Sequence, residues 1–277
     1  MIEKITDIAQ PKEHNTFRKL SIQVSLNGLS FCALDTITNK ILAFEKVSFN
    51  TPSTPYLMLK ELKAKLNQHG DIGNNFSEVV VIHKNNMFGL VPRPLFNKDE
   101  LPNYLKFNAK IMANDLVAFD ELPNQDMVNV YIPYTNINNY IFDLFGEFEF
   151  KHSGTVLIST LMSQSRTTAE PTCYVQVSGK EMEMMVVSDK KLHFYNQFEY
   201  KTKEDFLYFL LFSLEQLQMD LEKIQLKLFG VVEEGDPIFD LCYQYIKNVS
   251  VFVPNNPAFP LEELENESID FSILSSL

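Results

Sequence analysis

Glu233, Glu234 and Asp236 fall within four consecutive positions of the 277-residue sequence, and clustered carboxylates are what a hard divalent cation prefers. The same residues also suit a solvated strand-to-helix loop, with Asp236 capping a helix that opens at Pro237. The spacing favours the loop. His83, His152 and His193 are candidate ligands or general bases, yet none has a second His or Cys at ligand spacing, so they are expected to be structural. Ser153-Gly154-Thr155 stands where a helix begins and could hold an anion on free N–H groups, although any helix start offers the same. There Ser153 is the expected N-cap. Lys180 could meet a phosphate, but a turn lysine is ordinarily solvated. Ser159 to Ser165 has no flanking nucleophile-elbow glycines. No complete catalytic, metal or phosphate-binding motif results.

The elements that would carry these residues form a repeat. Ile22–Ser25 and Val175–Ser178 both read apolar-Gln-Val-Ser, an offset of 153 (178 less 25). Each opening meets a glycine-containing turn, Asn27-Gly28 or Gly179-Lys180, and tight hairpins favour residues that tolerate positive φ. A second run, a polar turn (Thr38-Asn39, Asp189-Lys190) and a third run follow in each copy. Each then enters a helix: YLMLKELKAKL, with Leu57, Leu59, Leu62 and Leu66 on one face, and the helix after Thr202, capped with Asp205 three residues later. The second helix is apolar nearly all round and is expected to be covered on most sides. Apolar strands follow, Val79–His83 and Ile224–Phe229. The unit is β-β-β-α-β, twice.

Between the copies, a short helix is expected in Leu95–Phe107, a strand at Met127–Ile132, a helix at Thr135–Phe145 stopped by Gly146, a brief strand at Phe148–Phe150 and a helix from Ser153 to about Ser165. Gln164–Pro171 reads as a linker. A helix near Pro237–Ile246 and a strand at Val249–Val253 precede a tail from Pro254 whose apolar end, Phe271, Ile273 and Leu274, is expected to pack back on the body. The domain expectation is 1–165, 166–257 and a tail, 258–277.

Charge narrows the partners. With 36 acidic and 24 basic side chains the net charge is -12, which opposes a general role on nucleic acid or on anionic lipid. Cys32, Cys173 and Cys242 are far apart in apolar segments and lack a basic activator, so they are expected to be reduced, buried thiols in a cytoplasmic protein. The N-terminus carries no apolar run suited to a signal peptide, and the chain none suited to a membrane helix.

A duplicated unit of three antiparallel strands, a helix and further strand-helix steps resembles the actin, sugar-kinase and Hsp70 superfamily: α/β, with two ribonuclease-H-like domains of mixed sheets facing a nucleotide cleft. In length, in the QVS hairpin opening and in the HSGT segment (His152–Thr155), the chain also resembles the uncharacterised domain-of-unknown-function 3822 family of Bacteroidetes. The superfamily resemblance implies an aspartate at the end of each copy's first strand, to hold metal or its waters, and a turn whose amides hold phosphate. Those places carry Ser25 and Ser178, followed by Asn27-Gly28 and by Gly179-Lys180. The implied adenosine turn falls on Gly230, but Val231 replaces its second glycine, and Glu233, Glu234 and Gly235 follow. The resemblance therefore implies a vacated nucleotide site with no cofactor, and the expectation is a non-catalytic scaffold for an unidentified protein partner. Two alternatives stand beside it: a kinase or ATPase taking acids from Asp35, Asp189 or Glu233, and a small-ligand binder using the cleft.

Overall fold

The computed structural model describes residues 17–49, 51–70, 75–112, 114–164, 170–253 and 270–277. The N-terminal stretch, most of the expected linker and most of the tail lie outside them. The first unit runs β1 (Arg18–Ser25), β2 (Gly28–Asp35), β3 (Lys40–Ser48), α1 (Pro55–Gln68) and β4 (Glu78–His83). The second repeats it as β9 (Thr172–Ser178), β10 (Glu181–Ser188), β11 (Lys191–Glu199), α5 (Lys203–Gln216) and β12 (Gln225–Gly230). Between them stand β5 (Phe88–Pro92), α2 (Leu101–Leu105), β6 (Ala118–Leu122), β7 (Met127–Tyr131), α3 (Thr135–Phe145), β8 (Glu149–His152) and α4 (Ser153–Gln164). After β12 come α6 (Pro237–Tyr243), β13 (Asn248–Val251) and α7 (Phe271–Leu274).

The two five-stranded mixed sheets have the same order, β3-β2-β1-β4-β8 and β11-β10-β9-β12-β13, with the first three strands antiparallel and the last two added in parallel. Alternation gives each sheet two faces. In the first, Leu20, Ile22, Val24, Leu29 and Phe31 pack with α1 and α3 residues; in the second, Cys173, Val175, Val177, Met182 and Met184 pack with α5 residues. The opposite face of the second sheet (Tyr174, Met185, Val187, Tyr195) meets Leu157, Ile158 and Leu161 of α4, together with Phe88 of the third sheet and Phe271 of α7. That third sheet, β5-β7-β6, is antiparallel and inserted after β4; of it, the sequence pattern foretold only β7.

Four local expectations need correcting. The first hairpin turns on Leu26-Asn27, because Ser25 pairs with Gly28. Gly28 is therefore a strand residue, and a Cβ there would stand 2.4 Å from the Val47 carbonyl oxygen of β3. On α1 the buried residues are Met58 and Leu62, whereas Leu57 is 51% exposed, since its position is turned away from theirs. Helix α5 leaves Tyr208 and Phe212 half exposed and stacked on one another, although its N-terminus closes with the expected Thr202–Asp205 capping box. Ser153 is the first residue of α4, and the Gly154 N–H is accepted at 3.0 Å by the His152 ring instead.

Candidate functional site: the cleft between the repeated hairpins

The β1–β2 turn and the start of β10 meet across the two units: the Asn27 side-chain amide donates to a Glu181 carboxylate oxygen. Beneath this contact Lys84, the residue after β4, is placed by its N–H, which donates to the Val24 carbonyl at 2.9 Å. Its ammonium reaches Glu183 at 3.0 Å and Glu181 at 3.4 Å. Both Lys84 and Glu183 are buried, with side-chain exposures of 7% and 1%. Glu183 faces the unit interface because it alternates with Met182 and Met184, which point into the other core. One of its oxygens accepts from the Tyr195 hydroxyl at 2.8 Å, Gln197 Nε2 at 2.9 Å and the Ser153 hydroxyl at 3.3 Å.

The electrostatics follow from this contact set. Burial pulls the Lys84 ammonium down, but Glu183 and Glu181 overcome it, and the group stays charged with a raised pKa. Burial pushes the Glu183 carboxyl up, and Lys84 and the Tyr195 hydroxyl more than reverse it, so its pKa lies below the usual carboxylate value. Burial and the adjacent Glu183 raise the Tyr195 phenol well above its ordinary value.

Neutral histidines flank the pair. His152 donates from Nε2 to the Asn85 carbonyl at 2.9 Å and accepts the Gly154 N–H at Nδ1. His83 accepts the Tyr134 N–H at 3.2 Å on Nδ1, so its Nε2 donates to Asn138 Oδ1 at 2.9 Å. Burial depresses them to about 4 and about 3 respectively. Asp120 of β6 accepts from the His152 N–H at 2.9 Å, the Thr155 hydroxyl at 2.7 Å and the Tyr131 hydroxyl at 2.9 Å, tying the third sheet to the start of α4.

A cavity of about 110 Å³ remains between the units, with Asn27, Lys84 and Tyr134 on one side and Glu181, Glu183 and Gln197 on the other. Among the ten residues the sequence nominated, only Asn27 lines it. The Ser25 hydroxyl donates to the Gly28 carbonyl at 3.0 Å and accepts the Asn27 N–H at 3.2 Å, so it closes its own turn. Ser178 ends β9, Gly179 and Lys180 form the second hairpin turn, and Gly179 takes φ +61°. Gly230 has φ +93° and packs so tightly that a Cβ would stand 2.3 Å from the Val177 carbonyl oxygen. Glu233, Glu234 and Gly235 are exposed in the loop before α6, where the Glu233 N–H donates to Asp236 at 2.8 Å. Among the described residues, no three His, Cys, Asp or Glu side chains are grouped to hold a metal ion. Lys84, Glu181 and Glu183 escaped the sequence reading. The available signal was Glu183 itself, an acid inside a strand on the face that continues with Met185 and Val187 and begins with Glu181.

Residues 10–249 match the family described as Protein of unknown function (DUF3822). A crystal structure from Bacteroides thetaiotaomicron, a protein with actin-like ATPase fold and unknown function, superposes with a TM-score of 0.77 at 20% identity, covering 89% of this chain and 94% of that one. A chain of the PilM–PilN type IV pilus biogenesis complex superposes with a TM-score of 0.58 at 10% identity, covering 92% and 96%. No curated protein matches. These likenesses establish the actin-like ATPase fold, here built on two five-stranded mixed sheets of the same strand order.

Proposed function

We propose that this chain, which belongs to the DUF3822 family, is a non-catalytic scaffold of the actin-like ATPase fold that binds a protein partner, its cleft closed by an ion pair instead of a nucleotide. The observation that carries this reading is the buried Lys84–Glu183 pair joining the two units at 3.0 Å. A magnesium triphosphate would have to enter a cavity of about 110 Å³, whereas pockets for ligands of drug size run to roughly 300 Å³ and beyond. It would also meet Glu181 and Glu183, whose charge repels phosphate, while the nearest ammonium is already committed to them. The serines at the ends of β1 and β9 offer no negative charge to a cation. Of the acids that could substitute, Asp35 ends β2 and Asp189 follows β10, each a strand's length from the first turn of its unit, and Glu233 is in the exposed loop before α6. The residues present therefore do not fit a magnesium nucleotide.

That the same fold takes part in the PilM–PilN complex supports partner binding by analogy of fold alone. In this reading the body comprises units 1–165 and 166–257, and the tail is 258–277. A cytoplasmic place is supported by the three free, buried cysteines. Among the described residues no helix is long and apolar enough to cross a membrane.

Thermal unfolding with and without millimolar magnesium-ATP tests the reading, because a ligand of the native state raises the melting temperature by mass action. The expected result is no shift. A rise of several degrees, abolished by Lys84→Glu, overturns it.

A further inference from the structure

The second sheet's inner face is seated on α4, a helix of 12 residues; the matching face of the first sheet is covered on β1 and β2 by α7, which has four, and on β4 by Val156 of α4. The two seats correspond strand by strand. Glu183 pairs across the ladder with Gln197, and these two residues hold Ser153 at the start of α4. In the first sheet the matching cross-strand pair is Ser30 and Lys46, and these hold Asp270, the residue before α7. The Asp270 carboxylate accepts from Lys46 Nζ at 2.9 Å, Ser30 Oγ at 2.8 Å and Gln23 Nε2 at 3.3 Å. Behind this clamp Phe271 meets the edge of Phe229, and Ile273 and Leu274 lie with Cys32, Ile41 and Phe44. The seat is thus a cationic and hydroxyl clamp followed by apolar pockets, held by a segment shorter than its counterpart.

We infer that this face of the first sheet, together with Phe229 of the second, is a peptide-recognition surface, occupied in cis by residues 270–277, and that the partner is a protein segment of the same chemistry. Such a segment has an acidic residue at the start of a helical turn and apolar residues one, three and four positions later. It displaces the tail by competing for the same clamp and pockets. The inference rests on the partner-binding reading above and names the surface and the ligand class. The acidic residue supplies orientation through a charge-assisted clamp, and the apolar residues supply the buried area. Because the tail is tethered, it competes at high effective concentration, so a free segment binds with an affinity reduced by the fraction of chains whose tail is open.

The test uses the full chain and a fluorescein-labelled peptide of sequence DFSILSSL, which is residues 270–277. Wild type is expected to bind it weakly but saturably. Asp270→Lys, which sets an ammonium against Lys46, releases the tail and is expected to bind the peptide about tenfold tighter or more. Lys46→Glu is expected to lose the peptide and to accept instead the peptide whose Asp is replaced by Lys. The Lys46→Glu, Asp270→Lys chain keeps the ion pair with reversed sign, which provides a folded control if either single variant fails to fold. Absence of saturable binding by wild type overturns displacement. Binding that ignores the charge at position 46 overturns the surface assigned. Magnesium-ATP stabilisation would refute the nucleotide-free reading without touching either outcome, so the two failures are separable.

Discussion

Replacing Lys84 by Met keeps most of the buried stem and removes the charge opposite Glu183, whose side chain is 1% exposed. The remaining carboxylate then either stays ionised without a cation or takes up a proton. Protonation bounds the cost: from an ordinary value of 4.5 to pH 7 is 2.5 units, or about 3.4 kcal/mol at about 1.36 kcal/mol per unit. That falls in the range of about 3–5 kcal/mol for breaking a buried pair from one side. For a domain of this size it corresponds to a loss of roughly 7–14 °C in melting temperature. The pH dependence has a definite sign. The folded pKa of Glu183 is depressed, so the pair's stabilisation is present above the unfolded value and is lost as pH falls from there through the lower, folded value. In the variant the uncompensated Glu183 is protonated when folded, at a cost set by how far the pH lies above 4.5, so the Lys84→Met penalty should shrink to about 1.4 kcal/mol at pH 5.5. Adding Glu183→Gln should restore most of the loss at pH 7, because an amide needs no cation. Urea unfolding of the four proteins at both pH values measures the cycle. A penalty under about 1 kcal/mol, or one that does not change with pH, would show that Glu183 is hydrated and would refute a closed cleft.

His83 and His152 are held neutral, at about 3 and about 4, so acid should destabilise the fold as the unfolded chain protonates from about 6.5 downward, by about 2 kcal/mol per histidine at pH 5. Unfolding free energies at pH 7 and pH 5 should draw together in a His83→Gln, His152→Gln chain, and an unchanged difference would contradict the assignment. Gly230→Ala meets both φ +93° and the Val177 carbonyl, and Gly28→Ala meets the Val47 carbonyl; each should cost about 2 kcal/mol or more by chemical denaturation. Gly235→Ala, with φ +89° in open space, should cost nearer about 1 kcal/mol. Thr202→Ala should lose about 1 kcal/mol with the α5 cap, and an Asp205→Ala loss of similar size should not add fully to it.

Alternation along β1, β2, β9 and β10, together with the Thr202 cap and the 153-residue offset, was enough to place both repeats, because these are local signals read along the strand or helix that carries them. The fold itself was reached through the resemblance of that duplicated unit to the actin, sugar-kinase and Hsp70 superfamily. Of the third sheet, β5 and β6 were missed because they are short edge strands that gain their stability from pairing with the central β7. The first turn was misplaced for a related reason. Asn-Gly suits a hairpin locally, but Gly28 is required by the approach of the Val47 carbonyl, which a partner strand supplies.

By itself the sequence determined the repeated unit, the absence of aspartates at the ends of its first strands, and the apolar residues that close the chain. Only the tertiary structure decided that Lys84, Glu181 and Glu183, up to 99 positions apart (183 less 84), meet in the cleft, and that Asp270 meets Ser30 and Lys46. Periodicity records which side of an element is buried. Which charges face one another there depends on how the two units are docked, and on desolvation that neither segment undergoes alone.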